Sequence, residues 1–141
     1  MPNSDLVQIC DAVVTHLAAQ SLSKTFSVEK DYLPDFERER LTSTQVTVYP
    51  QSTSVAFASR TTDQLVYSVN IVIRSPVAAS ANPDISEELY FAQELRDSLD
   101  RVTMSNASFT AAQSEPAYDL ETLNERNEFL TVITATYLQI K

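Results

Sequence analysis

The stretch EFLTVITATYLQI, residues 128–140, is rich in β-branched and aromatic side chains, contains no proline and carries its single charge at the first position. Successive side chains of a strand point to opposite faces of its sheet. One face of this stretch would carry Phe129, Thr131, Ile133, Ala135 and Tyr137, and the other Leu130, Val132, Thr134, Thr136, Leu138 and Ile140. Because both sets include apolar groups, the pattern predicts an inner strand that is covered at least in part on both faces.

The clearest alternation elsewhere lies in residues 65–74. The apolar side chains that share one face are Leu65, Tyr67, Val69, Ile71 and Ile73. A period of two over this length predicts a second long strand. We expect Ile71 and Ile133 to be buried at the centre of the sheet.

Two segments have the periodicity of amphipathic helices. The first follows Ser4, a good N-cap, and its apolar stripe comprises Leu6, Ile9, Cys10, Val13, Val14 and Leu17. The second is predicted from Asp84, which could form a capping box with Glu87, to about Val102. Its expected buried face comprises Ile85, Leu89, Ala92, Leu95, Leu99 and Val102, which leaves nearly all of its acids on the opposite face.

Shorter signals complete the order of elements. Strands are predicted at 26–32 (before Pro34), 45–49 (closed by Pro50) and 109–118, and residues 51–60 fit a loop or a strand extension. Short helical turns are predicted at 35–41 and 120–127, a turn at 105–106, and a surface loop at 75–84. The sequence therefore predicts one α+β domain over residues 1–141. Two helices pack on a mainly antiparallel sheet of about five strands, in the order α-β-β-β-α-β-β.

Composition narrows the classes of function. The chain of 141 residues has a formal net charge of −9. The segment from Asp84 to Glu128 contains eleven acidic residues and only three arginines. Such a surface disfavours general nucleic-acid binding. The absence of glycine excludes phosphate-cradling loops and dinucleotide fingerprints. With no apolar run of about 20 residues and no basic leader, we expect a soluble protein made in the cytoplasm.

No residue pattern predicts catalysis, a metal or a cofactor. The only cysteine, Cys10, and the only histidine, His16, lie on the same helix, six residues apart, and do not face each other. A single cysteine also excludes an internal disulfide. The carboxylates of the second helix fit a solvated face rather than an acid–base pair. We therefore expect a protein that is not an enzyme and has no cofactor.

Two arginines stand at the ends of the best-patterned strand. Arg60 precedes this strand and Arg74 closes it, ahead of the predicted loop. Each could pair with acids of a neighbouring chain, or could simply be a soluble strand end. On the first interpretation, reversing either charge would weaken association, leave the subunit folded and make assembly sensitive to salt.

In order and pattern, the chain resembles the tail terminator (tail completion) proteins of long-tailed bacteriophages. The similar features are the N-terminal helix, the strand Val46-Thr47-Val48-Tyr49-Pro50, Arg60 ahead of Tyr67-Ser68-Val69-Asn70-Ile71, the acidic helix from Glu87 to Leu99, and the ending with Tyr118-Asp119, Leu123 and Phe129 to Tyr137. The likeness covers almost the whole chain, although no short motif in it is diagnostic. Head–tail connector proteins share much of this arrangement.

The resemblance implies a ring of identical subunits, commonly a hexamer, at the tail–neck junction of the virion. The ring would assemble in the host cytoplasm, cap the tail tube, contact neck or connector proteins and let DNA pass without specific binding or any membrane contact. Strand-end residues are the expected interface: Phe57, Arg60, Arg74, Ser75, Pro76, Val77, Asn82 and Asp84. The alternatives are another connector or neck protein, and a cellular α+β module that binds a protein.

Overall fold

The computed structural model describes residues 4–32, 43–57, 63–78, 82–102, 107–114 and 117–140. The helical turn predicted at 35–41 and the turn at 105–106 lie outside these residues. For residues 56, 57 and 126 the description is limited to the backbone.

Five strands form one sheet around the stretch that dominates the sequence. The strands are β1 (Phe26–Lys30), β2 (Thr44–Phe57), β3 (Asp63–Pro76), β4 (Ser108–Ser114) and β5 (Glu128–Ile140). Their order across the sheet is β1-β2-β3-β5-β4, so β5 lies between two neighbours, as its pattern predicts. All pairings are antiparallel except that of β1 with β2, which is parallel.

Three helices accompany the sheet: α1 (Asp5–Ala18), α2 (Ser86–Ser98), which continues into a 3-10 turn at Leu99–Arg101, and α3 (Leu120–Arg126). The predicted α+β fold is thus confirmed, with the 120–127 segment forming a full third helix. The predicted N-cap of α1 is also confirmed, since the Ser4 hydroxyl accepts a hydrogen bond from the Val7 amide at 3.3 Å. No helix among the described residues is long and apolar enough to cross a lipid bilayer.

The two faces of the sheet have different surroundings. The helix face packs against the helices, and its buried side chains are Val46, Val48, Tyr67, Val69, Ile71, Ile73, Phe129, Ile133, Ala135 and Tyr137. From the helices and their ends, the core also contains Ile9, Cys10, Val13, Leu17, Ile85, Phe91, Leu95 and Leu99. Ile71 and Ile133 lie side by side in the register of β3 and β5 and are 0% and 1% exposed, as expected. The opposite surface, called the far face below, contributes no side chain to this core.

Strand β2 extends well beyond its predicted end. Pro50 does not close the strand; the pairing with β3 shifts register between Pro50 and Ser52 and then continues to Phe57. Pro50 is tolerated because β1 pairs only as far as Val48, so beyond it β2 is an edge strand in the described sheet. Two strands end earlier than predicted, β1 at Lys30 and β4 at Ser114, whereas β3 extends two residues beyond its predicted range at each end.

Helix α2 buries most of its predicted face, with Ile85, Leu95 and Leu99 in the core and Ala92 and Val102 packed against it. Leu89 is the exception at 37% exposed, whereas Phe91 is 1% exposed and packs on Phe26 with ring centroids 5.2 Å apart. The aromatic pair buries more apolar surface than Leu89 would, which accounts for the burial of Phe91 in place of Leu89. The predicted capping box does not form: Asp84 accepts from the Ser86 amide at 3.0 Å, and the helix starts without a side-chain cap.

Two acids of α2 hold the segment between α1 and β1. Lys24 Nζ lies 3.3 Å from Glu88 Oε1, and the Ser23 amide donates to Glu94 Oε1 at 3.1 Å. Glu88 is 8% exposed. These two carboxylates therefore have structural partners and are not simply part of a solvated helix face.

Candidate functional site

The predicted interface residues fall at two opposite ends of the sheet. Phe57 pairs with Asp63 at the start of β3, whereas Arg74, Ser75 and Pro76 end the same strand. The 14 residues of β3 separate these ends by roughly 45 Å at the usual rise of a strand. Arg60 lies outside the described residues. The predicted residues therefore belong to two separate surfaces.

Arg74 lies on the far face and pairs within its own chain. Its Nη2 atom is 3.4 Å from Glu128 Oε2, and the side chains of the two residues are 9% and 5% exposed. Both predicted interpretations took Arg74 to be an accessible strand end. Because burial removes both charges from water, breaking this ion pair costs more than breaking an exposed one. We therefore expect charge reversal at Arg74 to destabilise the subunit itself, in place of the prediction from the sequence that the fold would stay intact.

The next three residues leave the sheet gradually. Ser75 is 2% exposed, and its Oγ lies 3.1 Å from Thr44 Oγ1. Pro76 is exposed, and Val77 donates its amide to the Asn127 carbonyl at 2.9 Å and packs against the core. The predicted loop thus begins only after Val77, and residues 79–81 lie outside the described part.

Asn82 and Asp84 are exposed just ahead of α2. The hydroxyl and amide of Ser86 both donate to Asp84 Oδ1, and these hydrogen bonds lower the pKa of the Asp84 carboxyl. Asp84 therefore orders the entry to the helix. Its remaining carboxylate surface faces solvent and could contact a partner.

The far face is almost free of charge. In β2 to β5 it carries Thr47, Tyr49, Val66, Ser68, Asn70, Val72, Ala111, Gln113, Leu130, Val132, Thr134, Thr136 and Leu138. Among the described residues of these four strands, the charged side chains on the far face are Arg74 and Glu128, which form an ion pair. Glu29 of β1 lies at the edge of the same face. Val72, Thr47 and Asn70 are buried, so the accessible part of this face consists of the exposed and partly buried side chains, which carry no charge among the described residues of β2 to β5. The whole chain, in contrast, has a net charge of −9.

Burial varies along this face. Near the Arg74–Glu128 pair, Val72 and Thr47 are 1% and 7% exposed, whereas Val66, Thr136 and Leu138 at the other end are only partly buried. Thr134 donates to Asn70 Oδ1 at 2.8 Å across β3 and β5. Beside it, Val132, Thr136 and residues of β4 line a shallow cleft of about 220 Å³. This cleft offers hydroxyl and amide groups but no charge.

The one cysteine is unsuited to nucleophilic chemistry. Cys10 is 0% exposed, and burial, with a smaller contribution from Asp11, raises the pKa of its thiol to about 11. Only the thiolate is a good nucleophile, so this thiol is inert near neutral pH. Burial also raises the pKa of the neighbouring Tyr137 hydroxyl, with a smaller contribution from Cys10.

The one histidine joins two helices. His16 Nε2 lies 2.9 Å from the Ser98 carbonyl oxygen, so the ring donates to the C-terminal end of α2. It is partly buried and has a structural partner. Among the residues described, no three His, Cys, Asp or Glu side chains are grouped so that they could hold a metal ion.

One feature of this surface was missed from the sequence. The sequence shows Glu128 only as the charge at the start of a strand, and the register of β3 with β5 brings it to Arg74. The extension of β2 to Phe57 was one of the two alternatives for residues 51–60, and Thr53 and Val55 have the β-branched character of a strand.

Comparison with known proteins adds no relative to this description. No protein-family model matches the chain, and no curated protein sequence matches it either.

Proposed function

We propose that this protein is a structural subunit of a phage virion, a tail terminator that forms a ring on the end of the tail tube and joins it to the neck. The observation that carries the proposal is the difference between the two faces of the described sheet: the helices pack on one face, and on the other the exposed and partly buried side chains described for β2 to β5 carry no charge. The overall resemblance in element order to terminator proteins supplies the biological setting.

The far face suits the lining of a DNA channel. Partly buried side chains such as Ser68, Thr134 and Thr136 present hydroxyl groups and no cation. Phosphate binding to proteins depends largely on Lys and Arg, so a wall of this kind would not hold DNA. A ring with the far face inward would let DNA slide through a neutral lumen.

The acids would then face outward. Asp97 and Asp100 on the α2 segment have side chains 57% and 66% exposed. Like charges there would oppose stacking of helix face on helix face between subunits. The ring interface is therefore expected at the lateral edges of the sheet, and contacts with tail tube and neck proteins at its two ends.

The surroundings of the Cys10 and His16 side chains support a role without catalysis. The thiol is buried and the imidazole joins α1 to α2, so the two residues best suited to nucleophilic chemistry serve the packing of the subunit. We propose that the protein acts by assembly, with no cofactor, at the tail–neck junction after synthesis in the host cytoplasm.

Removing the protein from the phage that carries it tests this role directly. If it terminates tails, electron microscopy of lysates should show tubes of uncontrolled length and unattached heads, with both defects repaired by supplying the gene in trans. Tails of normal length with unattached heads would assign a connector or neck role instead. Normal virions would overturn the virion proposal and favour a cellular protein-binding module.

A further inference from the structure

The outer edge of β2 is only partly used in the described sheet. β1 pairs with residues from Thr44 to Val48, and the Asp31 amide adds one more bond to the Val48 carbonyl. No strand among the described residues pairs with this edge along residues 51–57. An edge of this kind presents unpaired backbone amides and carbonyls that can accept another strand.

A second edge of the same length lies on the other side of the sheet. β4 has 7 residues and pairs with β5 on one side; no described strand lies on its other side. Neither β4 nor residues 51–57 contain a charged residue, in a chain that is 21% charged overall. Natural proteins commonly protect open edges with charges, so two neutral edges favour pairing.

The strand directions allow these two edges to meet. β2 and β5 run one way and β3 and β4 the other, since each adjacent pair among them is antiparallel. Placing β4 of one copy beside β2 of the next therefore continues the alternation with another antiparallel pair. The contact joins two different surfaces, so repetition around an axis closes a ring.

The position of β1 sets the offset between copies. Through the registers of β5 and β3, β4 lies level with residues 48–54 of β2. To reach residues 51–57 and clear β1, a neighbouring β4 must shift along the strand by about three residues, roughly 10 Å. Staggered pairing of this kind is what closed sheets require.

We propose that residues 51–57 of β2 pair edge to edge with β4 of a second copy of this chain, so that the sheets of successive subunits form one continuous wall. This inference rests on the proposed ring and names its interface. Val55, 64% exposed in the middle of the free edge segment, would be covered by the neighbour.

Cross-linking between introduced cysteines tests the pairing. Ser52→Cys, Thr53→Cys or Ser54→Cys is combined with Thr110→Cys or Ala111→Cys, all at exposed positions, and a short bis-maleimide is added to the assembled protein. At least one combination should give a denaturant-resistant ladder from dimer to complete ring. The buried native Cys10 remains in every variant, so the parent measures its background.

Matched controls separate edge pairing from random collision. Asp97→Cys with Ala111→Cys places one thiol on the exposed side of α2 and should give no ladder. A dimer from Thr53→Cys alone, with no ladder from any combination, would show that β2 pairs with itself and would overturn the proposal.

Charges placed on the edges provide a second measurement. Thr53→Lys or Ala111→Lys should raise the protein concentration needed for half-assembly at least tenfold without changing Tm, whereas the exposed Gln93→Lys on α2 should not. Rings that form normally with both edge lysines would overturn the interface and leave the terminator role intact. Conversely, an edge-linked ladder from a protein that is absent from tails would support the interface and overturn the terminator role.

Discussion

At the scale of single residues, the buried ion pair of Arg74 and Glu128 decides what mutagenesis at the strand end can reveal. We predict that Arg74→Glu lowers the free energy of unfolding by about 3–5 kcal/mol, because it replaces a buried ion pair by two buried carboxylates that repel each other. Chemical denaturation measures this loss. The double variant with Glu128→Arg should recover part of it.

Arg96→Glu is the matched control. Arg96 lies 3.5 Å from Asp97 in a pair whose side chains are 42% and 57% exposed. An exposed pair is worth little, so the change should cost less than about 1 kcal/mol. Equal losses at Arg74 and Arg96 would contradict the buried pairing.

The buried thiol of Cys10 predicts a loss of stability in alkali. The thiol keeps its proton in the folded protein up to a pKa of about 11, while in the unfolded chain it ionises near its usual value of 9.0. From pH 9 to pH 11 the unfolded state therefore binds fewer protons, and stability falls as pH rises. The contribution of the protonated Cys10 thiol to the free energy of unfolding is fully present below pH 9 and is at most about 2–3 kcal/mol.

Denaturation curves of the parent and of Cys10→Ala across this pH range check the prediction. Cys10→Ala should be less stable at neutral pH because it loses buried volume, yet its stability should decline less steeply above pH 9. Tyr137 remains in both proteins, and burial, the larger cause of the raised pKa of its hydroxyl, acts in both. Equal slopes would show that the thiol does not remain protonated in the folded state.

At the scale of elements, the burial of Phe91 rather than Leu89 on α2 can be tested by a matched pair of truncations. Phe91→Ala should cost about 3–5 kcal/mol of stability because it empties the contact with Phe26, whereas Leu89→Ala should cost at most about 1 kcal/mol. Thermal and chemical unfolding of the two variants measure the difference. A greater loss at Leu89 would contradict the burial of Phe91 in its place.

Periodicity was sufficient to predict the central elements and insufficient at the edges. β5 and α1 have long, regular patterns, so their positions, the cap at Ser4 and the burial of Ile71 and Ile133 followed from the sequence. Most of the buried face of α2 also followed, with the exception of Leu89, because Leu89 and Phe91 compete for the core and tertiary packing against Phe26 decides between them.

Pairings between distant strands limited the prediction of the site. The partner of Arg74 is 54 residues away along the chain, and only the β3–β5 register brings it close. Pro50 usually ends a strand, but its missing amide has no consequence where no described strand lies beside it. The edges that no described strand pairs with depend on the strand order, so they could not be predicted from the sequence.

At the scale of the whole molecule, the charge distribution predicts how salt affects assembly. Subunits with a net charge of −9 repel one another, while the two proposed edges are neutral. Added salt screens the repulsion and leaves backbone pairing almost unchanged, so rings should form at lower protein concentration as salt rises. Light scattering over a salt series measures the trend. Weaker assembly at high salt would point to ion pairs between subunits, such as the ones expected of Arg60.

The most direct test of the proposed assembly is sedimentation velocity of the purified protein over a wide range of concentration, with electron microscopy of the fastest fraction. We predict a subunit that is partly monomeric when dilute and that forms one closed, symmetric ring as concentration rises, without larger open polymers. A protein that stays monomeric at every concentration and does not bind the ends of tail tubes would contradict the account.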